Sequence, residues 1–140
     1  MATAGAQGGS LILVVDDDED FLALMTQDLT SAGHHVLQAG DASEALQLVE
    51  KLGSEINLVI ADLILPGMSG YELIAELRHR RKDLKIMAVS AVYKEQYLDV
   101  ATVLGARMVL QKYPQGKPMQ RAEWIAAVRQ VVELPPAANG

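Results

Sequence analysis

The chain has 140 residues, half of them apolar, and a formal net charge of −6. Its length predicts one domain, and its acidic balance argues against general nucleic-acid binding, which requires a basic surface. The chain contains no cysteine, which excludes disulfides and thiol chemistry. No apolar run reaches the ~18 residues of a membrane span, and the polar N-terminus lacks the basic stretch of a signal peptide. We therefore expect a cytoplasmic protein that binds neither membranes nor nucleic acid.

Five apolar runs predict β-strands. They are short, continuous and rich in β-branched residues, as strands buried on both faces of a parallel sheet are. The second run is the weakest, because it contains Gln38. The predicted strands are residues 11–15, 35–39, 58–61, 86–89 and 108–110.

Apolar residues at helical spacing predict a helix after each strand. The second and third helices begin at D-A-S-E (41–44) and S-G-Y-E (69–72), which both match a capping box. Gly33 and Gly105 follow the first and fourth helices, where a glycine commonly ends a helix. Trp124 is predicted to lie on the buried or half-buried face of the fifth.

The alternation of strands and helices indicates an α/β fold, an open parallel sheet with helices on both sides. Strands two and five are the most polar and therefore suit the edges of the sheet. The flavodoxin-like (βα)5 doubly wound order 2-1-3-4-5 meets this requirement and brings strands one and three together at a ligand-binding crevice. We expect residues 11–134 to form the domain, with tails at 1–10 and 135–140. His34 and His35, in the turn before strand two, are predicted to be solvated.

Charged and polar residues follow the buried strands directly, and in a parallel sheet these ends meet at one edge. They are Asp16 and Asp17 after strand one, Asp62 after strand three, Ser90 after strand four and Lys112 after strand five. Clustered carboxylates suit Mg²⁺, which prefers oxygen ligands. A cation beside an ammonium neutralises an incoming phosphoryl group, and a carboxylate can accept that group covalently. Asp62, between the acidic pair and the other two residues, is the best candidate acceptor.

The sequence resembles the receiver domain of two-component response regulators from residue 11 to about residue 133. The resemblance rests on LILVVDDDED, LVIADLILPGMSG, IMAVSA and GARMVLQK taken together. It implies a phosphoacceptor rather than an enzyme, supplied by a histidine kinase, a phosphotransfer protein or a small phosphodonor. The implied site consists of Asp62 as acceptor, Asp17, Asp62 and the Ile64 carbonyl as Mg²⁺ ligands, Asp16 acting through water, and Ser90 and Lys112 holding the phosphoryl oxygens.

Two positions depart from the family pattern. Tyr113 follows Lys112 where the family usually has proline, and a Lys-Pro pair occurs only at Lys117–Pro118. An insertion of residues 113–116 plus one more explains this, so we favour Lys112 over Lys117 as the functional lysine and expect a trans peptide bond after it. Val109 stands where many members have Tyr or Phe, so the usual aromatic switch is unavailable.

The leading interpretation is a stand-alone receiver that acts by contact with a downstream protein. It could also form a homodimer through its fourth helix, fifth strand and fifth helix. One alternative is a contact module that is never phosphorylated. Another is a phosphohydrolase of the haloacid dehalogenase type, which normally has a D-x-D-[TV] motif and a cap domain. Here Glu19 occupies the fourth position of that motif, and the chain is short.

Overall fold

The computed structural model describes residues 9–92 and 95–133, apart from the side chains of residues 95–98 and 115. Strands and helices alternate along it, as the sequence predicts. The strands are β1 (Leu11–Val15), β2 (His35–Ala39), β3 (Leu58–Asp62), β4 (Lys85–Ser90) and β5 (Met108–Gln111). The helices are α1 (Glu19–Ser31), α2 (Ala42–Leu52), α3 (Gly70–Arg80), α4 (Glu95–Leu104) and α5 (Arg121–Glu133). Short 3₁₀ turns occupy Gly53–Glu55 and Pro114–Gly116.

The five strands form one parallel sheet in the order β2-β1-β3-β4-β5, which confirms the predicted topology. The polar strands β2 and β5 lie at its edges. Val15 of β1 pairs with Ala61 of β3. The next residues along these two strands, Asp16 and Asp62, therefore lie side by side at the carboxyl edge.

The core has two parts, one on each face of the sheet. Helices α1 and α5 cover one face, and Phe21, Met25 and Trp124 are buried there. Helices α2, α3 and α4 cover the other face with smaller aliphatic side chains such as Leu73 and Ile74. The strands between them are apolar on both sides, which explains why their sequences do not alternate.

Side-chain caps fix where the helices begin. At α3 the predicted capping box is complete, because Ser69 Oγ accepts from Glu72 N–H while Glu72 accepts from Ser69 N–H. At α2 only half is present. Asp41 accepts from Glu44 N–H, but the Glu44 carboxylate turns to Gly40 N–H.

One prediction about the turn before β2 is wrong. His35 is exposed as expected, but His34 is only 8% exposed. Its Nδ1 accepts the Ser10 N–H at 3.0 Å, so Ser10, assigned from sequence to the N-terminal tail, packs on the domain. Residues 1–8 of that tail and the tail at 135–140 lie outside the described residues. The domain limits stay a prediction.

Across residues 9–92 and 95–133, no helix has both the length and the apolar character needed to cross a membrane.

Candidate functional site at the carboxyl edge of the sheet

Three aspartates lie together where β1 and β3 end. Each of Asp16, Asp17 and Asp62 has a carboxylate oxygen within 4.8 Å of one from the other two. Asp16 is fully buried and Asp62 is 6% exposed, whereas Asp17 faces solvent. The cluster therefore has two buried carboxylates and one exposed carboxylate. The predicted grouping of these residues is present.

Lys112 completes the charged cluster from the end of β5. Its ammonium forms an ion pair with Asp16 Oδ2 and donates to Asp62 Oδ2 at 3.1 Å. Its backbone N–H donates to the Ser90 carbonyl at 2.9 Å, which extends the pairing of β5 with β4 by one residue. Lys117, the alternative lysine, is exposed. The described part of the chain has no cis peptide bond, so the bond after Lys112 is trans, as expected.

Burial sets the electrostatics of this cluster. It raises the pKa of Asp16 to about 6, although Lys112 and the Asp18 N–H both favour the ionised form. Burial lowers the pKa of Lys112, but the hydrogen bond to Asp16 and the charges of Asp62 and Asp16 outweigh it, so the net pKa is raised. The Lys112 ammonium is therefore stabilised in its charged form, whereas the buried Asp16 carboxylate loses free energy when it ionises.

The donor set fits a hard divalent cation. Asp16 Oδ2 is buried, and the Lys112 ammonium is in contact with it. Asp17 and Asp62 each have a carboxylate oxygen within 4.8 Å of one from Asp16, and carboxylates this close repel one another unless a cation relieves them. Clustered oxygens with one exposed member match the oxygen ligands and retained waters of Mg²⁺.

Ser90 is the last residue of β4, and Ile64 lies in the loop that follows β3. Ser90 is buried at the end of β4, and its Oγ hydrogen-bonds the carbonyl and N–H of Val92 at 3.0 and 3.1 Å, not the Asp62 carboxylate. The Ile64 N–H donates to Asp62 Oδ1 at 3.0 Å, while its side chain is half exposed. The structure therefore brings Asp62 and Lys112 into contact but leaves Ser90 engaged with its own loop.

Sequence reasoning missed two residues that support this site. A Cβ on Gly70, the first residue of α3, would lie 2.0 Å from the Asp62 carbonyl oxygen, so only glycine allows the helix to approach so closely. Phe21 of α1 places its ring centroid 4.4 Å from the Lys112 ammonium. Gly70 could have been suspected from its place after the Ser69 cap. Nothing local marks Phe21, which reads as an ordinary core residue.

This fold and charged edge define a class of protein. The family model described as the response regulator receiver domain matches residues 12–129. The chain therefore belongs to the response regulator receiver domain family.

Individual relatives agree with this assignment. The chain is 32% identical over 129 residues, 91% of its length, to the DNA-binding transcriptional regulator NtrC of Azospirillum brasilense. It is 32% identical over 90 residues, 64% of its length, to the sensor kinase CckA of Brucella abortus. These matches cover 25% and 10% of the two relatives, so the chain spans a quarter or less of their length.

Among solved structures, the chain is similar to a chain of the CheX–CheY–BeF₃–Mg²⁺ complex from Borrelia burgdorferi. The TM-score is 0.80 at 27% identity, and the match covers 87% of this chain and 88% of the other. The complex, by its own description, contains Mg²⁺ together with BeF₃.

Proposed function

We propose that this chain is a receiver that accepts a phosphoryl group on Asp62 and changes its protein contacts as a result. The observation that supports this most strongly is the buried contact of Lys112 with Asp16 and Asp62 at the point where β1 and β3 lie side by side. Open α/β sheets of this order bind ligands at that point. In this reading residues 11–134 are the receiver.

The chemistry follows from the positions of the side chains. An Asp62 carboxylate oxygen attacks phosphorus and forms a new O–P bond, while the bond from phosphorus to the donor breaks and the donor keeps that electron pair. Lys112, which touches Asp62 Oδ2, neutralises charge on the transferred oxygens. Such transfer depends mainly on positioning and charge stabilisation. Asp16, Asp17, Asp62 and the Ile64 carbonyl would hold Mg²⁺, which supplies further charge neutralisation when bound.

Ser90 takes a second role in this proposal. Its hydroxyl is held by Val92, two residues further along the loop. To reach a phosphoryl oxygen on Asp62 it would have to exchange those bonds for a new one. That exchange would release Val92 from Ser90. It offers a route for switching that does not require an aromatic residue at Val109.

The proposed partners are a histidine kinase or phosphotransfer protein as donor and a protein target downstream. Val100 and Val103 of α4 are 46% and 85% exposed, which suits a contact surface or a homodimer through α4, β5 and α5. We also propose that the chain acts as a stand-alone receiver. The two relatives described above are longer proteins.

The direct test is intact mass after incubation with Mg²⁺ and acetyl phosphate, run beside Asp62→Asn. We expect one phosphoryl group on the parent chain and none on the variant. Lys112→Ala should slow uptake strongly, while Lys117→Ala, which alters an exposed residue, should leave it unchanged. The reverse pattern would make Lys117 the functional lysine.

Failure of uptake has a defined meaning. No gain with acetyl phosphate, phosphoramidate or a cognate kinase would favour a contact module that is never phosphorylated, a role suggested by the Lys112–Tyr113 pair and Val109. Repeated turnover of a generic phosphate ester would instead indicate a phosphohydrolase.

A further inference from the structure

The Lys112 ammonium touches a ring as well as two carboxylates. Its Nζ lies 4.4 Å from the centroid of Phe21, and both side chains are about 95% buried. A cation at this distance from an aromatic ring is attracted by the quadrupole of the ring, and more strongly where water is excluded. Phe21 belongs to the first turn of α1, directly after the acidic stretch that contributes Asp16 and Asp17.

A second aromatic residue supports that ring. Trp124 of α5, 1% exposed, meets Phe21 with centroids 5.6 Å apart and an interplanar angle of 70°. Edge-to-face contacts of this kind are favourable beyond the area they bury. Phe21 therefore sits between the ammonium and the α5 helix, and it cannot move without disturbing the core on that face of the sheet.

The arrangement addresses a difficulty in the proposed chemistry. A lysine ammonium is a point charge on a flexible four-carbon stem. In the resting site its carboxylate partners are Asp16 and Asp62, and Asp62 is the group that must react. The Phe21 ring attracts the ammonium but takes no part in the reaction. It can therefore keep Lys112 near Asp62 while the ion pairs of Lys112 change.

We propose that Phe21 is a positioning residue that acts through Lys112, with Trp124 holding the ring in place. This inference rests on the proposed phosphoacceptor function of Asp62. It differs from a role in core packing, because it requires the aromatic ring to attract the ammonium. An aliphatic residue of similar size would fill the same space without that attraction.

A double-mutant cycle separates these two roles. Phe21→Leu keeps an apolar side chain and should slow phosphorylation of Asp62 by acetyl phosphate about five- to tenfold, the effect of losing roughly one buried cation–ring contact. In a Lys112→Gln background the same change should have no further effect. Met25→Leu, in the same helix and the same core, is the matched control and should leave the rate unchanged.

A second measurement reports the position of the ammonium directly. The Lys112 side-chain CH₂ resonances should show an upfield ring-current shift in the parent chain and in Met25→Leu, and lose it in Phe21→Leu. Should Phe21→Leu prove too unstable, Phe21→Met serves in both measurements.

The outcomes distinguish this inference from the proposed function. Phosphorylation of Asp62 that slows equally with Phe21→Leu in both backgrounds would overturn the role of Phe21 and leave the receiver function intact. If neither the parent chain nor any variant takes up a phosphoryl group, the receiver function fails. The ring-current shift then decides the position of the ammonium, and its absence in the parent chain overturns the inference.

Discussion

The two edges of the sheet satisfy their polar groups in opposite ways. At the amino end of β1, neutral groups pair reciprocally. Asn57 accepts the Leu11 N–H at 2.8 Å and donates its own N–H to the Leu11 carbonyl at 2.9 Å, while Ser10 donates to His34. At the carboxyl edge, buried charges crowd around Asp16, whose Oδ2 contacts the Lys112 ammonium.

This contrast shows where the fold is stabilised and where it is prepared for a ligand. Reciprocal neutral bonds cost little to bury and add modest stability. Buried charges cost several kcal/mol to desolvate, and removing one partner leaves the others uncompensated. The carboxyl edge is therefore the part of the domain whose stability should depend most on cations, and the amino edge should not respond to them.

The largest effect should come from removing the central cation. Lys112→Met leaves the Asp16 and Asp62 carboxylates without their ammonium, so we expect a loss of about 3–5 kcal/mol of unfolding free energy without Mg²⁺. Urea unfolding followed by circular dichroism measures this. Lys117→Met, at an exposed residue, is the control and should change stability by less than about 0.5 kcal/mol. Equal stability of the two variants would contradict our account of the carboxyl edge.

The next effect tests the close approach of α3 to the acceptor. Gly70→Ala forces a Cβ against the Asp62 carbonyl oxygen and the Leu63 Cα, and backbone atoms cannot turn away as a side chain can. We expect a loss of about 3 kcal/mol. Gly40→Ala is the matched control, because its Cβ would meet only the Glu44 carboxylate, at 3.8 Å. A Gly70→Ala chain as stable as Gly40→Ala would show that the helix can shift freely.

Mg²⁺ should stabilise the parent chain, since binding to the folded form alone adds about 2.7 kcal/mol at 100 times the dissociation constant. Differential scanning fluorimetry with and without Mg²⁺ measures the rise in unfolding temperature. Asp16→Ala, which removes a buried carboxylate, should abolish most of the increment. Asn57→Ala should lower stability at the amino edge but keep the increment. An increment lost equally in both variants would remove the distinction between the two edges.

The smallest effect concerns pH at the amino edge. Burial, with the charge of Arg129, lowers the pKa of His34 below its ordinary 6.5. As the pH falls, His34 therefore takes up a proton in the unfolded chain before it does so in the folded chain. The folded state is fully stabilised above about pH 6.5 and loses this stability as the pH falls toward the lower pKa of His34 in the folded chain. His34→Gln should flatten stability between pH 7 and 5, whereas His35→Gln, at an exposed position, should not.

The sequence by itself determined most of the architecture. Continuous apolar strands between helical patterns specify a parallel sheet, and the polar character of β2 and β5 specifies its order. Register then aligns the residues that follow β1 and β3, so Asp16 and Asp62 could be placed together from local patterns alone. The cap at Ser69 and Glu72 could also be predicted from the local pattern, whereas the same pattern at Asp41 and Glu44 formed only half of its predicted box.

Only the tertiary structure decided contacts between residues distant in the chain. The burial of His34 depends on Ser10, the glycine requirement at position 70 depends on the backbone of Asp62, and the Lys112 ammonium meets Phe21 from 91 residues away. Periodicity reveals which face of an element is buried, but not what that face meets. The sequence already favoured Lys112 over Lys117 as the functional lysine, and that role stays a prediction. The contact of the Lys112 ammonium with Asp62, however, depends on how β5 extends beside β4, which only the tertiary structure shows.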